Sequence, residues 1–149
     1  MTSPTTPTVT VYGLFLKSLA EGKIKFHTDA FKAMLCTTSY SPSQSGHQFK
    51  SHVTGEAQGS GYSPGGKTLL IGSITYANKV IAINASNLSW PMTTLTNVRY
   101  LVVYDDAPST DATKPLVLWV DFINTKSPAN QSLYYNWPSS GAMLKLEVS

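Results

Sequence analysis

Apolar residues in this chain come mostly in short bursts of four to nine, rich in Val, Ile, Thr, Tyr and Trp, and cut apart by Asn, Gly, Pro, Ser or Asp. Bursts of that length and make-up predict strands, and the residues between them predict turns. The expected strands are Phe31–Thr37 (FKAMLCT), Thr68–Tyr76 (TLLIGSITY), Lys79–Asn84 (KVIAIN), Ser86–Trp90, Val98–Asp105 (VRYLVVYD), Pro115–Phe122 (PLVLWVDF), Leu133–Trp137 (LYYNW) and Met143–Val148 (MLKLEV). Asn78 falls between two of them as Tyr76-Ala77-Asn78-Lys79, the sequence of a tight hairpin turn. One stretch has a different period. Between Val9 and Leu19, residues Val11, Leu14, Phe15 and Leu19 recur at helical spacing and Gly22 follows as a stop, which predicts a short helix. Ahead of it, Met1–Thr8 (MTSPTTPT) holds two prolines and four threonines, a composition that favours an extended arm.

About eight strands with no helices interposed exclude a doubly wound parallel sheet. The expected fold is mainly β: an antiparallel β-sandwich or jelly roll with one short N-terminal helix, organised as an arm over residues 1–10 and a single domain over residues 11–149.

Composition then narrows the function. Of 149 residues only 13% are charged, whereas Ser and Thr together number 35. With 42% apolar residues the chain is too hydrophobic to be disordered, so the low charge describes a folded body with a neutral, hydroxyl-rich surface. Its formal charge is +3, but Arg99 is the sole arginine and the ten lysines are spread from Lys17 to Lys145. That spread argues against a direct nucleic-acid partner, which calls for a clustered basic face. A single cysteine, Cys36, excludes an internal disulfide and a thiolate metal cage, and its apolar strand makes it a buried, inert thiol. No run is long enough to span a membrane as a helix, and the N-terminus lacks the basic start and apolar stretch of a secretion signal. The three Asn-x-Ser sequences at Asn84, Asn87 and Asn130 therefore read as ordinary turns.

One motif invites a chemical reading. Gly61-Tyr62-Ser63-Pro64-Gly65-Gly66-Lys67-Thr68 fits G-x-x-x-x-G-K-[ST], the phosphate-loop pattern, and Val102–Asp105 imitates a magnesium-binding acidic strand. A phosphate loop needs a buried strand before it and a helix starting at its Lys-Thr end. Here Ser51–Ser60 is too polar for the strand, and Leu69–Ile74 has the composition of a strand rather than a helix. The motif is expected to be a Gly/Pro turn leading into a strand. His27, His47 and His52 lack an acidic ligand at zinc spacing, and Asp105, Asp106 and Asp111 lack the glycine and terminal glutamate of a calcium loop. No G-x-S-x-G elbow occurs. No catalytic residue, metal ligand or cofactor is assigned, and the expectation is a protein that is not an enzyme. Trp119 is expected in the core, and Trp90 and Trp137, each before a proline, at strand ends.

Three segments together resemble a known family: FKAMLCTTSYSPSQSGHQFKSHVTGEAQGSGYSPGGKTL, then NVRYLVVYDDAPSTDATKPLVLWVDF, then YYNWPSSGAMLKLEV. The positions that carry the likeness are Gly61, Tyr62, Gly65, Gly66, Lys67 and Leu69, then Arg99, Tyr100 and Asp105, then Asp121 and Phe122, then Trp137, Pro138 and Gly141. Over about residues 11–148 the chain resembles small virion proteins of tailed bacteriophages, and departs from them in its Thr/Pro arm. The resemblance implies a capsid cement or decoration protein, made in the host cytoplasm and carried on the outer surface of the head, that binds the major capsid protein lattice as a homo-oligomer, dimer or trimer. A tail or fibre component that recognises host glycans through Trp and Tyr is the alternative. The interface residues proposed from the sequence are Thr2, Pro4, Thr6, Pro7 and Thr8 of the arm, and Gln44, His47, Phe49, Asp106, Pro108 and Asp111 of two loops.

Overall fold

A computed structural model of the chain describes residues 6–148, with residues 139 and 140 as backbone only. Among these described residues ten strands form three antiparallel sheets, and the fold is mainly β, as the burst pattern predicts and consistent with a β-sandwich. The largest sheet has the order β1-β8-β7-β2-β3, built from β1 (Thr8–Val11), β2 (Phe31–Thr37), β3 (Lys67–Leu69), β7 (Val98–Asp105) and β8 (Leu116–Lys126). The second has the order β10-β5-β4, from β4 (Ile71–Ala77), β5 (Val80–Ala85) and β10 (Ala142–Glu147). The third pairs β6 (Leu88–Thr94) with β9 (Ala129–Tyr135). One apolar core takes residues from all three sheets, among them Leu35, Leu101 and Leu118 from the first, Ile83 and Leu144 from the second and Trp90 and Leu133 from the third. The burial pattern of β7 explains its legibility. Leu101 to Asp105 are all buried, because β7 lies between two other strands and is covered on both faces.

The N-terminal helix α1 (Gly13–Ala20) starts four residues later than the apolar spacing predicts. Val9 and Val11 belong instead to β1, where Thr8 faces Asp121 and Val11 faces Leu118. Alternating β-branched residues beside an open strand edge gain a ladder there that an isolated helical turn cannot match. Thr8–Thr10, read from sequence as part of an unpaired arm, are thus in the sheet. The helix ends as predicted: the amide of Gly22, at φ 74°, donates to Leu19 O and that of Lys23 to Ser18 O, a Schellman closure on glycine.

The second departure lies in residues 68–76. The chain crosses from the first sheet to the second at Leu70, dividing the expected strand into β3 and β4. Ser86 fixes the crossing, its amide donating to Leu70 O and its hydroxyl accepting from Leu70 N. The expected hairpin is present, with Asn78 at φ 52° and Lys79 at φ 67°, the left-handed pair that a two-residue turn of the primed type requires. No helix among the described residues is long and apolar enough to cross a membrane.

Candidate functional site

The loop after β2 and the loop after β7 meet along the start of β8. Leu116 N donates to Gln48 O and Lys50 N to Lys114 O, so residues 48–50 complete the edge of β8 where β1 stops. Lys50 Nζ lies 3.1 Å from Asp111 Oδ2 and 5.4 Å from the Tyr104 ring. Asp106 receives Lys114 at 2.5 Å and Lys32 at 3.7 Å. Gln44 ties the first loop to the β1–α1 junction, its Nε2 donating to Val11 O and its carbonyl accepting from Gly13 N. Phe49 sits between Lys23 and the His52 ring. Of the loop residues chosen from sequence, Gln44, His47, Phe49, Asp106 and Asp111 are anchored in this cluster by contacts, and half-buried Pro108 belongs to the second loop.

Below the loops runs a chain of hydroxyls and imidazoles. Tyr12 and Tyr40 share a 2.7 Å hydrogen bond, Tyr40 Oη lies 3.0 Å from His47 Nδ1, and the rings of His47 and His52 stack at 5.8 Å. Both Nδ1 atoms accept amide protons, His47 from Ser43 and His52 from Gln48 and Phe49. Burial, and then its neighbour His52, lower the His47 pKa, while burial pushes the Tyr40 phenol up to about 12. A neutral imidazole accepting from a neutral phenol is a structural pin. The cavity beside it, about 340 Å³, is lined by Met34, Lys50, Ser51, Val53, Glu56 and Asp111. Its charges are already paired, Lys50 with Asp111 across the lining itself and Glu56 with the turn described next.

The glycine-rich turn at residues 61–68 feeds strand β3, not a helix. One of its amides already holds an anion supplied by the chain itself. Glu56 Oε2 accepts from Gly65 N at 2.7 Å and from the Tyr62 hydroxyl at 2.6 Å, and that hydroxyl in turn accepts from Leu35 N at 3.0 Å. Tyr104 Oη donates to Gly65 O, and Lys67 Nζ donates to Ser89 O. Gly66 packs so tightly on β2 that a Cβ there would lie 2.1 Å from Ala33 O, at φ 89°. The turn therefore joins β2, β6 and β7, and its lysine is held by a carbonyl.

The arm residues fall elsewhere. Thr2 and Pro4 lie outside the described residues, Thr8 is in β1, and Thr6 and Pro7 line a cleft of about 240 Å³ at the far end of β1. Phe122, Lys126, Tyr134, Tyr135, Asn136 and Pro138 form the rest of it. Lys126 Nζ stands 5.5 Å from the Phe122 ring centre, and Tyr134 is 66% exposed. The tryptophans contribute no surface platform: Trp90 and Trp137 are buried, the latter donating its indole N–H to Ser86 O at 2.8 Å, and Trp119 is half-buried against Tyr12. Cys36 is fully buried, and burial pushes its thiol pKa up.

Two features escape sequence reasoning. One is the carboxyl pair of Asp29 and Asp105. Asp105 is fully buried; its Oδ1 accepts from Ala107 N at 2.9 Å and its Oδ2 has no donor. Burial, and then hydrogen bonding to Asp29, push the Asp105 carboxyl up to about 7. An aspartate at the end of an apolar strand was the available signal, but a turn aspartate gives the same one. The other is the open edge of β4. No protein-family model, curated protein or solved structure matches the chain.

Proposed function

We propose that this chain is a structural protein of a tailed-bacteriophage particle, a cement or decoration protein that binds the major capsid protein lattice on the outside of the head. The observation that carries the reading is the ordered series of motifs over residues 11–148, together with the work those residues do. Gly61, Tyr62, Gly65 and Gly66 weld a turn to the sheet, and Arg99 holds Asp121 through two hydrogen bonds, at 3.0 and 3.2 Å. Asp105 closes β7, and Trp137 ties the chain before β10 to Ser86. The motif residues build a framework and converge on no reacting centre, which suits a family whose product is a shape. A chain with only 13% charged residues also lowers repulsion between copies crowded on a shell and the desolvation cost when they meet the lattice.

The tail or fibre reading is favoured by one observation, the aromatic and polar cleft around Tyr134, Phe122 and Asn136. A cryo-electron map of the phage particle separates the two. Density for this fold on the head lattice, with heads that rupture more readily when its gene is deleted, supports the cement role. A head shell without it overturns that role, and density in the tail with binding on a glycan array favours the alternative.

A further inference from the structure

We infer that strand β4 is a self-association edge, at which two copies of this chain pair antiparallel across a two-fold axis centred on Thr75 and join their β10-β5-β4 sheets into one six-stranded sheet.

β4 is an edge strand, and its residues from Gly72 to Ala77 are all exposed. Among the described residues it pairs with β5 alone. Two cross-strand rows lead from the core to this edge. Leu144, Ile83 and Ile74 form one and Leu146, Ile81 and Tyr76 the other, so that all six side chains share a face. Ile83 and Leu144 are buried, whereas Ile74 is 46% and Tyr76 64% exposed. The core's apolar face therefore runs out past its cover and ends in solvent.

Hairpin geometry sets which backbone groups are free. Ala77 and Val80 close a two-residue turn and form the hydrogen-bonded pair, so Thr75 and Ala77 turn their amides and carbonyls toward β5. Ile74 and Tyr76 turn theirs toward the open edge. A symmetric pairing that sets Ile74 against Tyr76 of the second copy, and Tyr76 against its Ile74, satisfies all of these groups with four hydrogen bonds. It also places an aromatic ring beside a β-branched side chain twice and brings the two Thr75 residues face to face.

The occupant follows from charge. Residues 68–78 carry no charge, and no proline or lysine guards the strand, whereas the opposite edge of the same sheet, β10, carries Lys145 and Glu147. Natural edges left bare in this way pair with something. A charged peptide finds no counter-charge here, but a second β4 matches it in length, neutrality and apolar pattern. The antiparallel register also sets Lys79 opposite Ile71 of the second copy, separating the flanking lysines that a parallel register would stack.

Light scattering after gel filtration tests this on the full chain, alongside two variants. Wild type is expected to run as a dimer. Ile74→Pro, which takes away an outward amide and no hydrogen bond to β5, is expected to be a monomer with an unchanged circular dichroism spectrum. Thr75→Cys is expected to cross-link between copies under mild oxidation, because a facing non-hydrogen-bonded pair has a Cα separation that suits a disulfide and Cys36 is buried. Ala77→Cys, with its two copies about 14 Å apart in this register, is expected to stay uncross-linked. A monomeric wild type, a trimer, a dimer that survives Ile74→Pro, or equal cross-linking at positions 75 and 77 each overturn the inference. None of these outcomes depends on whether the protein sits on a phage head.

Discussion

The Asp29–Asp105 pair makes stability depend on pH in a direction opposite to that of most carboxylates. Asp105 is removed from water, and its Oδ2 has no donor unless one of the two carboxyls carries a proton. With the folded pKa raised from 3.8 to about 7, the native state holds a proton that the unfolded chain has released across that interval. Stability is then fully present below the unfolded value and is lost as pH rises through 7. At 1.36 kcal/mol per pH unit, the interval between 3.8 and about 7 sets a ceiling of about 4 kcal/mol. Asp105→Asn supplies a permanent donor toward Asp29 without a charge. Urea unfolding at pH 4.5, 6 and 8 is expected to show wild type weakening toward pH 8 relative to the variant, with Asp105→Asn the more stable of the two at pH 8. Parallel stability curves, or a variant weaker than wild type at pH 8, would refute the buried shared proton.

Three further outcomes are expected. Gly66→Ala drives a Cβ against Ala33 O at a left-handed φ and should lower stability by more than about 3 kcal/mol in denaturant titration, whereas Gly65→Ala, whose nearest neighbour is Tyr104 Oη at 3.5 Å, should cost about 1 kcal/mol. Tyr62→Phe leaves Leu35 N and Glu56 short of a partner and should lose about 2–3 kcal/mol, read as a fall in thermal midpoint. Because Glu56 already occupies the Gly65 amide, nucleotides with magnesium should leave the thermal midpoint unchanged, and a magnesium-dependent rise would contradict the turn's reading.

The sequence by itself determined the class of fold, since bursts of β-branched and aromatic residues with turn residues between them allow little else, and it located β7 residue for residue because a strand covered on both faces is apolar almost throughout. It determined the Asn78 turn and the Gly22 helix stop, where local backbone conformation alone decides. What it left open were choices between partners distant along the chain. Val9 and Val11 fit a helix face or a strand, and only the open edge of β8 decides for β1. The run through Leu70 is apolar on both sides of the point where it changes sheets, so no periodicity marks the crossing. A phosphate-loop pattern became a structural turn because Glu56, nine residues before Gly65, folds back onto its amide. Likewise, β4 has the composition of a core strand, and only the sheet order leaves its edge open to water. Local propensity is written in neighbouring residues, but burial and pairing depend on which distant segments arrive.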